Sequence, residues 1–249
     1  MIKLIKNILI GTPLEFPIRR LYQDLLWRFS KPIRYDYETR LIMRRVLKKD
    51  SNCIDVGCYH GAILREILRF APNGVHYAFE PVPELYQKLA SQFPNVKNFN
   101  LALSDTYGKA TFYDVVSCQA LSGFKKRDLQ QKETISQIMV QIDTLDRVIP
   151  HNIPIDFIKI DVEGAELLVL TGAINTICRN KPVIVFECGT SGVNYFGASL
   201  EKIYDLLTKE CGLHISPMKN WLSNKPPLSR QEFADQIYAH LDYYFMAYR

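Results

Sequence analysis

The stretch Ser51–Gly61 constrains the fold more than any other part of this sequence. The apolar, partly β-branched run Cys53–Val56 is typical of a buried strand, and Gly57 and Gly61 bracket a turn into the helical pattern of Ala62–Phe70. Glycine lets a backbone approach a ligand closely, and the start of a helix offers unpaired N–H groups. The stretch therefore predicts a strand, a turn and a helix that form a site for a nucleotide-type ligand.

An acid, Asp55, stands directly before this turn. The spacing Asp55-x-Gly57-x-x-x-Gly61 differs from the G-x-G-x-x-G fingerprint of dinucleotide-binding proteins. A carboxylate at this place disfavours a pyrophosphate but tolerates a cationic cofactor. The pattern thus argues against a nicotinamide-dependent oxidoreductase, which stays as an alternative beside a non-catalytic interaction or membrane-associated protein.

Beyond the turn, strand and helix patterns alternate, which is typical of a parallel sheet covered on both faces. We expect an N-terminal helical extension over residues 1–50, with a helix at Tyr35–Lys49, and one α/β domain over residues 51–249. The other predicted strands are Val75–Glu80, Val96–Leu101, Gly108–Val115, Met139–Ile142, Ile155–Asp161, Val183–Glu187, Leu213–Ser216 and Tyr243–Tyr248. The other predicted helices are Pro83–Gln92, Gly164–Arg179 and Ser199–Cys211.

Three segments receive a different interpretation. Ser117–Thr134 is polar and charged and is predicted to be a long loop, a kind of segment that is usually functional or disordered. Trp221–Leu228 contains two prolines and is predicted to be irregular. We expect Tyr243–Tyr248 to be the antiparallel edge strand of a seven-stranded, mostly parallel sheet.

Positive charge is concentrated near the N-terminus. The net charge is +5, and residues 1–50 hold twelve Lys and Arg against five Asp and Glu. Basic and apolar residues interleave over residues 1–33, without the run of about 18 apolar residues that a transmembrane helix needs. This segment could lie on an anionic membrane, bind a partner or a lipid-linked substrate, or cap its own domain's core.

Six cysteines are scattered without a C-x-x-C pair, namely Cys53, Cys58, Cys118, Cys178, Cys188 and Cys211. We expect free thiols and a cytoplasmic protein, with peripheral contact at the inner membrane surface as an option for residues 1–33. We expect no nucleic-acid partner, and the sequence leaves the oligomeric state open.

Four predicted strands carry an acid at or just inside their carboxyl ends. These acids are Asp55, Glu80, Asp161 and Glu187. Ligands of doubly wound sheets gather at this edge, and unpaired charge is rare inside a sheet, so the four acids indicate a site. Glu80 follows Gly61 by nineteen residues, close to the interval at which an acid binds ribose hydroxyls.

The segment Ile155–Glu166 holds the densest group of acids. Its strand ends at Asp161, and Glu163 and Glu166 follow at the start of a helix, where the helix dipole favours negative charge. Three acids within six residues at a ligand cleft indicate chemistry as well as helix capping. Elsewhere, His60 is a candidate base or cofactor contact, and Lys125-Lys126-Arg127 is a solvated face or a contact for an anionic substrate.

These motifs together resemble the FkbM family of methyltransferases over about Asn52–Cys188. The resemblance rests on the glycine turn, on the acid-rich segment above, and on the motifs Phe79-Glu80-Pro81, Ala102-Leu103-Ser104-Asp105-x-x-Gly108, Ile142-Asp143-Thr144-Leu145-Asp146 and Val185-Phe186-Glu187. Tyr59 and His60 depart from the family's usual ending of the turn. The resemblance implies a Rossmann-like class I methyltransferase fold, the cofactor S-adenosylmethionine, and O-methylation of a hydroxyl on a sugar, glycan or secondary metabolite.

Site residues follow from the motifs and this resemblance. The predicted cofactor-binding residues are Asp55, Gly57, Cys58, Tyr59, His60, Gly61, Glu80, Pro81, Ser104, Asp105 and Asp161. Asp161 and Glu163 are the catalytic candidates. Asp161 either accepts or orients the hydroxyl proton of the acceptor, or holds a divalent cation together with Glu187. The first reading is favoured because the spacing offers no third oxygen ligand.

Overall fold

A seven-stranded sheet forms the centre of the computed structural model, which describes Ile18 and residues 30–116, 119–126, 134–190 and 199–249. The strand order is β3-β2-β1-β7-β8-β10-β9, with β10 antiparallel and the other pairs parallel. The strands are β1 (Cys53–Val56), β2 (His76–Phe79), β3 (Lys97–Phe99), β7 (Phe157–Ile160), β8 (Val183–Glu187), β9 (His214–Pro217) and β10 (Tyr244–Tyr248).

A second, three-stranded sheet has the order β4-β6-β5. It consists of β4 (Ala102–Leu103), β5 (Gly108–Val115) and β6 (Ile135–Asp143). β6 pairs antiparallel with the whole of β5, so it begins four residues before the predicted Met139. Because much of β6 faces solvent, its first half carries polar residues that hid the strand in the sequence.

The helices in the described residues are α1 (Lys31–Val46), α2 (Ala62–Phe70), α3 (Pro83–Gln92), α4 (Leu145–Val148), α5 (Glu166–Thr171), α6 (Ile174–Asn180), α7 (Leu200–Asp205), α8 (Met218–Leu222) and α9 (Arg230–Tyr238). A π-helical turn, Leu206–Glu210, continues α7, and a 3₁₀ turn spans Gln119–Leu121. None of these helices has the length and apolar content to cross a bilayer.

Side chains alternate between two cores along the central strands, which places helices on both faces. Ile158 and Ile160 pack with α5, α6, α7 and α9, whereas Phe157 packs with α1, α2 and α8. This alternation follows from the period of two in a strand. The expected α/β fold of the class I methyltransferase type, with its mostly parallel sheet of seven strands, is confirmed.

Three sequence predictions about elements are wrong. The strand β10 is antiparallel as expected, but it lies between β8 and β9 and is not at the edge, because it hydrogen-bonds on both sides. The predicted helix Gly164–Arg179 is two helices, since the chain at Gly172 lies so close to Ser104 that a Cβ would be 2.0 Å from its carbonyl oxygen. Within the predicted irregular segment 221–228, α8 extends to Leu222.

The helix α9 was not predicted, although the sequence carries its signal. Ser229 accepts from the backbone N–H of Glu232, and the Glu232 side chain accepts from the backbone N–H of Ser229. This reciprocal pair is the S-x-x-E capping box, which marks the start of a helix.

A disulfide joins Cys178 in α6 to Cys211, with 4.3 Å between the two Cα atoms. The expectation of free thiols is therefore wrong for this pair. Cys53, Cys58 and Cys188 are free and buried. Cys118 lies outside the described residues, and so do residues 1–17 and 19–29. The predictions made for these parts of the chain remain predictions.

Asp242, which is 2 % exposed, ties α1 to the segment that leads into β10. Its Oδ1 accepts from Arg34 Nη2 at 2.6 Å and from the Tyr35 hydroxyl at 3.0 Å, and its Oδ2 lies 2.6 Å from Lys219 Nζ. Lys31 Nζ donates to the carbonyl oxygens of His240 and Leu241 in the same segment. Charge-assisted bonds of this kind fix both segments against each other.

We expect Asp242→Ala to lower the free energy of unfolding by about 2–3 kcal/mol, because Arg34, Lys219 and the Tyr35 hydroxyl lose their buried acceptor. The loss is limited because Lys219 is partly exposed and can bind water instead. Urea unfolding followed by circular dichroism measures the effect. Asp235→Ala, an exposed aspartate on α9, is the matched control and should change stability by less than about 0.5 kcal/mol. Equal stability of the two variants would contradict this role for Asp242.

Candidate active site

A first cavity lies where β1, β2 and β7 end. The turn after β1 forms one wall with Gly57 and Tyr59, and Glu80 and Pro81 after β2 form another. Asp161 and Glu163 after β7 close the end of the cavity. The structure thus brings together these six predicted site residues at one sheet edge, as the parallel topology requires.

Glu80 holds the glycine turn and also faces this cavity. Its carboxylate accepts from the backbone N–H of Tyr59 at 2.9 Å and from the backbone N–H of Val82 at 3.0 Å. Burial raises the pKa of Glu80 to about 7, against the effect of these two bonds. Each carboxylate oxygen retains a second acceptor position for a ligand.

Apolar residues that the sequence interpretation did not assign to the site line the rest of this cavity. They are Val56, Val82, Leu101, Ala102, Leu103, Phe112, Ala120, Phe124 and Val162. Phe112 and Phe124 contact each other edge to face, with ring centroids 5.6 Å apart. Most of these residues come from the second sheet and its following loop, so the sequence offered no signal that they approach the turn.

Two other predicted cofactor-binding residues, Asp55 and Cys58, are buried beneath the turn. Asp55 is 2 % exposed, and one of its carboxylate oxygens has no hydrogen-bond partner. Burial raises the pKa of Asp55 to about 6, against the attraction of Lys159. The buried Cys58 thiol donates to the Asp55 carbonyl oxygen at 3.0 Å. Neither residue lines either of the cavities described here.

The remaining predicted cofactor contacts also lie off both cavities. His60 is exposed, with its ring centroid 3.9 Å from that of Tyr59. Gly61 packs so tightly on α3 that a Cβ would lie 2.5 Å from Phe93. The buried Ser104 donates to the exposed Asp105 at 3.2 Å.

A second cavity adjoins the first and shares Ala120, Asp161 and Glu163 with it. Its outer wall comes from the start of α1 and from the chain between the end of α9 and the start of β10. The residues of this wall are Lys31, Pro32, Tyr35, Asp36, Ile237, His240, Asp242, Tyr243 and Tyr244. Two cavities therefore meet at one pair of acids, which is the arrangement needed to bring two ligands together.

Three carboxylates gather at this junction. Asp161, Glu163 and Glu187 each offer an oxygen atom, and the three oxygens lie within 4.8 Å of one another. The sequence predicted only Asp161 and Glu187 as a pair of ligands, and the lack of a third oxygen ligand was the argument against a cation. That argument is wrong, because Glu163 supplies a third carboxylate. Glu163 reaches the cluster because the backbone turns there, with φ of +56°.

Glu166 fixes this turn from inside the protein. It is 3 % exposed and accepts from the backbone N–H groups of Val162 at 3.2 Å and Gly164 at 3.1 Å. Burial raises the pKa of Glu166 to about 7, while these bonds act in the opposite direction. Glu166 is therefore a cap of the loop, whereas Glu163 faces both cavities.

Asp161 and Glu187 have opposite shifts in pKa. Burial alone would raise the pKa of Asp161, but the charge of Lys159 and hydrogen bonds from Glu187 and Tyr244 lower it below its usual value. Burial and the negative charge of Asp161 raise the pKa of Glu187 well above its usual value. The environment thus favours the ionised form of Asp161 and the protonated form of Glu187.

Lys159 and Tyr244 are functional candidates that the sequence interpretation missed. Lys159 Nζ lies 3.1 Å from Asp161 Oδ2, and the Tyr244 hydroxyl donates to the same oxygen at 2.5 Å. A lysine inside the apolar run Phe157–Ile160 was a signal in the sequence, because a buried lysine needs a partner. Tyr244 carried no such signal, since only the sheet order brings β10 to this edge.

Comparison with known proteins matches the family model of the methyltransferase FkbM domain to residues 55–215. The chain is similar to the 2-O-methyltransferase NoeI of Sinorhizobium fredii (strain NBRC 101917 / NGR234), with 25 % identity over 182 residues that cover 64 % of this chain and 74 % of that protein.

Two solved structures are also similar to this chain. Methyltransferase FkbM from Methylobacillus flagellatus KT has a TM-score of 0.49 at 14 % identity and covers 81 % of this chain, which spans 44 % of that protein. Fibrillarin from Aeropyrum pernix, with natively bound S-adenosyl-L-methionine, has a TM-score of 0.41 at 13 % identity, over 82 % of this chain and 67 % of that one. Because the family model covers well over half of the sequence, this chain belongs to the FkbM methyltransferase family.

Proposed function

We propose that this protein transfers a methyl group from S-adenosylmethionine to a hydroxyl oxygen of a sugar, glycan or secondary metabolite. The observation that carries the proposal is the meeting of two cavities at Asp161 and Glu163. One cavity suits the cofactor and the other suits the acceptor. The printed name of the relative NoeI, a 2-O-methyltransferase, supports an oxygen acceptor.

The chemistry of the first cavity fits S-adenosylmethionine. Glu80 offers carboxylate oxygens for the two ribose hydroxyls, and Phe112 and Phe124 offer apolar surface for the adenine. Gly57 lets the turn pack against the chain after β7, since a Cβ would lie 1.9 Å from the Asp161 carbonyl oxygen. When bound, the cofactor supplies the activated methyl group.

The residues at the junction align the acceptor and manage one proton. An ionised Asp161 can accept the proton of a hydroxyl group as that oxygen is methylated. Lys159 and Tyr244 hold this carboxylate in place, so it needs little rearrangement. Glu163, which also borders both cavities, is positioned to orient the acceptor.

A divalent cation held by Asp161, Glu163 and Glu187 is the alternative for lowering the pKa of the hydroxyl. The three oxygens are close enough for such a site. The ammonium group of Lys159, 3.1 Å from Asp161 Oδ2, argues against this cation because it already supplies positive charge at the same carboxylate.

The first prediction for this site concerns Glu80. We expect Glu80→Gln to weaken binding of S-adenosylhomocysteine roughly 10- to 100-fold, since a hydrogen bond to a charged group is lost. Because the pKa of Glu80 is raised to about 7 and ribose hydroxyls favour the ionised form, wild-type affinity should rise from pH 6 to pH 8. The variant should lack this dependence.

Titration calorimetry at several pH values measures both effects. Glu84→Gln, an exposed glutamate at the start of α3, is the matched control and should bind like the wild type. Unchanged affinity and an unchanged pH profile in Glu80→Gln would remove Glu80 from the cofactor site.

The second prediction concerns Asp161. Asp161→Asn keeps the size of the side chain and removes its charge, so methyl transfer should fall by roughly 10²- to 10⁴-fold while cofactor affinity stays the same. The measurement is a mass increase of one methyl group on a candidate glycan incubated with enzyme and cofactor. Asp235→Asn is the control for an exposed position.

Chelation separates the two roles of Asp161. Transfer that survives EDTA supports proton transfer to the carboxylate, and transfer that is lost to EDTA and restored by Mg²⁺ supports the cation. Normal turnover by Asp161→Asn would be inconsistent with both.

We also propose that residues 1–33 bring the enzyme to an anionic membrane or to a lipid-linked acceptor, because basic and apolar residues interleave there. The full-length chain should sediment with anionic liposomes, and a chain beginning at Arg34 should not. Salt should weaken this binding. Equal sedimentation of both forms would argue for a different role of the segment.

A further inference from the structure

Lys159 lies in the interior of the large sheet and is 4 % exposed. Its Nζ is 3.1 Å from Asp161 Oδ2 and 3.4 Å from the Tyr244 hydroxyl, and it lies 4.7 Å from the centroid of the Tyr244 ring. A buried ammonium group is costly unless it is paired, and these contacts pair it. The position of Lys159 is thus fixed by Asp161 and Tyr244 at the cavity junction.

The register of the sheet places Lys159 on the same face as several acids. Lys159 on β7 stands opposite Asp55 on β1, and Tyr244 on β10 stands opposite Glu187 on β8. Side chains at these positions share the face that carries α1, α2 and α8. Lys159 therefore lies between the acid of the glycine turn and the acids of the junction.

We propose that Lys159 takes the place that a divalent cation would otherwise hold in this acid cluster, and that it is a positioning residue for Asp161. The proposal rests on the proposed function only in giving Asp161 a role in methyl transfer. An ammonium group 3 Å from a carboxylate supplies strong local positive charge. The Lys159 ammonium group would repel a divalent cation at the same carboxylates. Lys159 therefore serves as the internal cation of the cluster.

The closest alternative is that the cluster binds a metal ion and Lys159 merely supports the sheet. The two possibilities differ in what happens when the charge of Lys159 is removed. If Lys159 is the internal cation, then its loss removes the positive charge beside Asp161, and the cluster that contains this carboxylate binds a hard cation more readily. A purely structural lysine would produce no such gain.

Manganese binding tests the proposal without any acceptor. Free Mn²⁺ is measured by electron paramagnetic resonance while it is titrated into the full chain, the Lys159→Met variant, and the Lys159→Arg variant. We expect the wild type and Lys159→Arg to leave Mn²⁺ free, because both keep the positive charge. We expect Lys159→Met to bind one Mn²⁺ at least about tenfold more tightly.

Two further variants locate the effect. Adding Asp161→Asn to Lys159→Met should abolish the gained site, and Lys202→Met, an exposed lysine on α7, should behave like the wild type. Far-UV circular dichroism and binding of S-adenosylhomocysteine check that each variant is folded. If Lys159→Met does not fold, then Lys159→Gln provides the same loss of charge.

Two results would overturn the proposal. One is tight Mn²⁺ binding by the wild type, and the other is no gain of binding in a folded variant without the Lys159 charge. Failure of the proposed function looks different, since it would appear as absent methyl transfer or absent cofactor binding while the Mn²⁺ titration remains readable.

Discussion

The central strands of the large sheet are buried on both faces, and this constraint decides where charge can stand in the protein. Ile54, Ile158 and Ile184 face one core, and Cys53, Phe157 and Val185 face the other. Charged groups are tolerated mainly at the carboxyl ends of the strands, where the chain leaves the sheet. The site lies at these strand ends because most of the remaining sheet is buried among apolar side chains.

Close backbone packing joins the two halves of the site. Gly57 after β1 lies against the carbonyl of Asp161 after β7, where a Cβ would be only 1.9 Å from the oxygen. Any other residue at this position would have to push the two strand ends apart. The glycine turn and the candidate catalytic acid are therefore held as a single unit, whose geometry does not depend on a flexible connection.

The two cavities draw on different parts of the chain. The first is lined by residues inside the region that matches the family model, whereas the outer wall of the second comes from α1 and from the segment before β10. Asp242 connects these two outer segments through Arg34 and Tyr35. The shape of the second cavity thus depends on packing between the two ends of the described chain.

The acids at the junction and Glu166 beside it differ in pKa because their surroundings differ. Asp161 is kept ionised by a neighbouring cation, while Glu187 and Glu166 retain protons more readily because burial penalises their charge. Such divergence within one cleft is typical of sites that move a proton. It arises from the relative positions of four chain segments and not from the acids themselves.

The sequence by itself determined the local elements and the edge of the sheet that holds the site. Periodicity gives β1, α2 and α3 with their observed bounds, because buried faces impose regular spacing of apolar residues. Chain order and the acids at strand ends placed Glu80 and Asp161 in one cleft. The sequence also contained two signals that the interpretation missed, namely the lysine inside β7 and the capping box at the start of α9.

Only the tertiary structure decided which residues from distant segments complete the site. Tyr244 reaches Asp161 because β10 inserts between β8 and β9, and Glu163 joins the acid cluster because the backbone turns to a positive φ. The disulfide of Cys178 and Cys211, separated by 33 residues, likewise depends on how α6 meets the end of the π-helical turn. Local patterns report which face of an element is buried, but contacts between remote elements depend on packing that the spacing of residues does not encode.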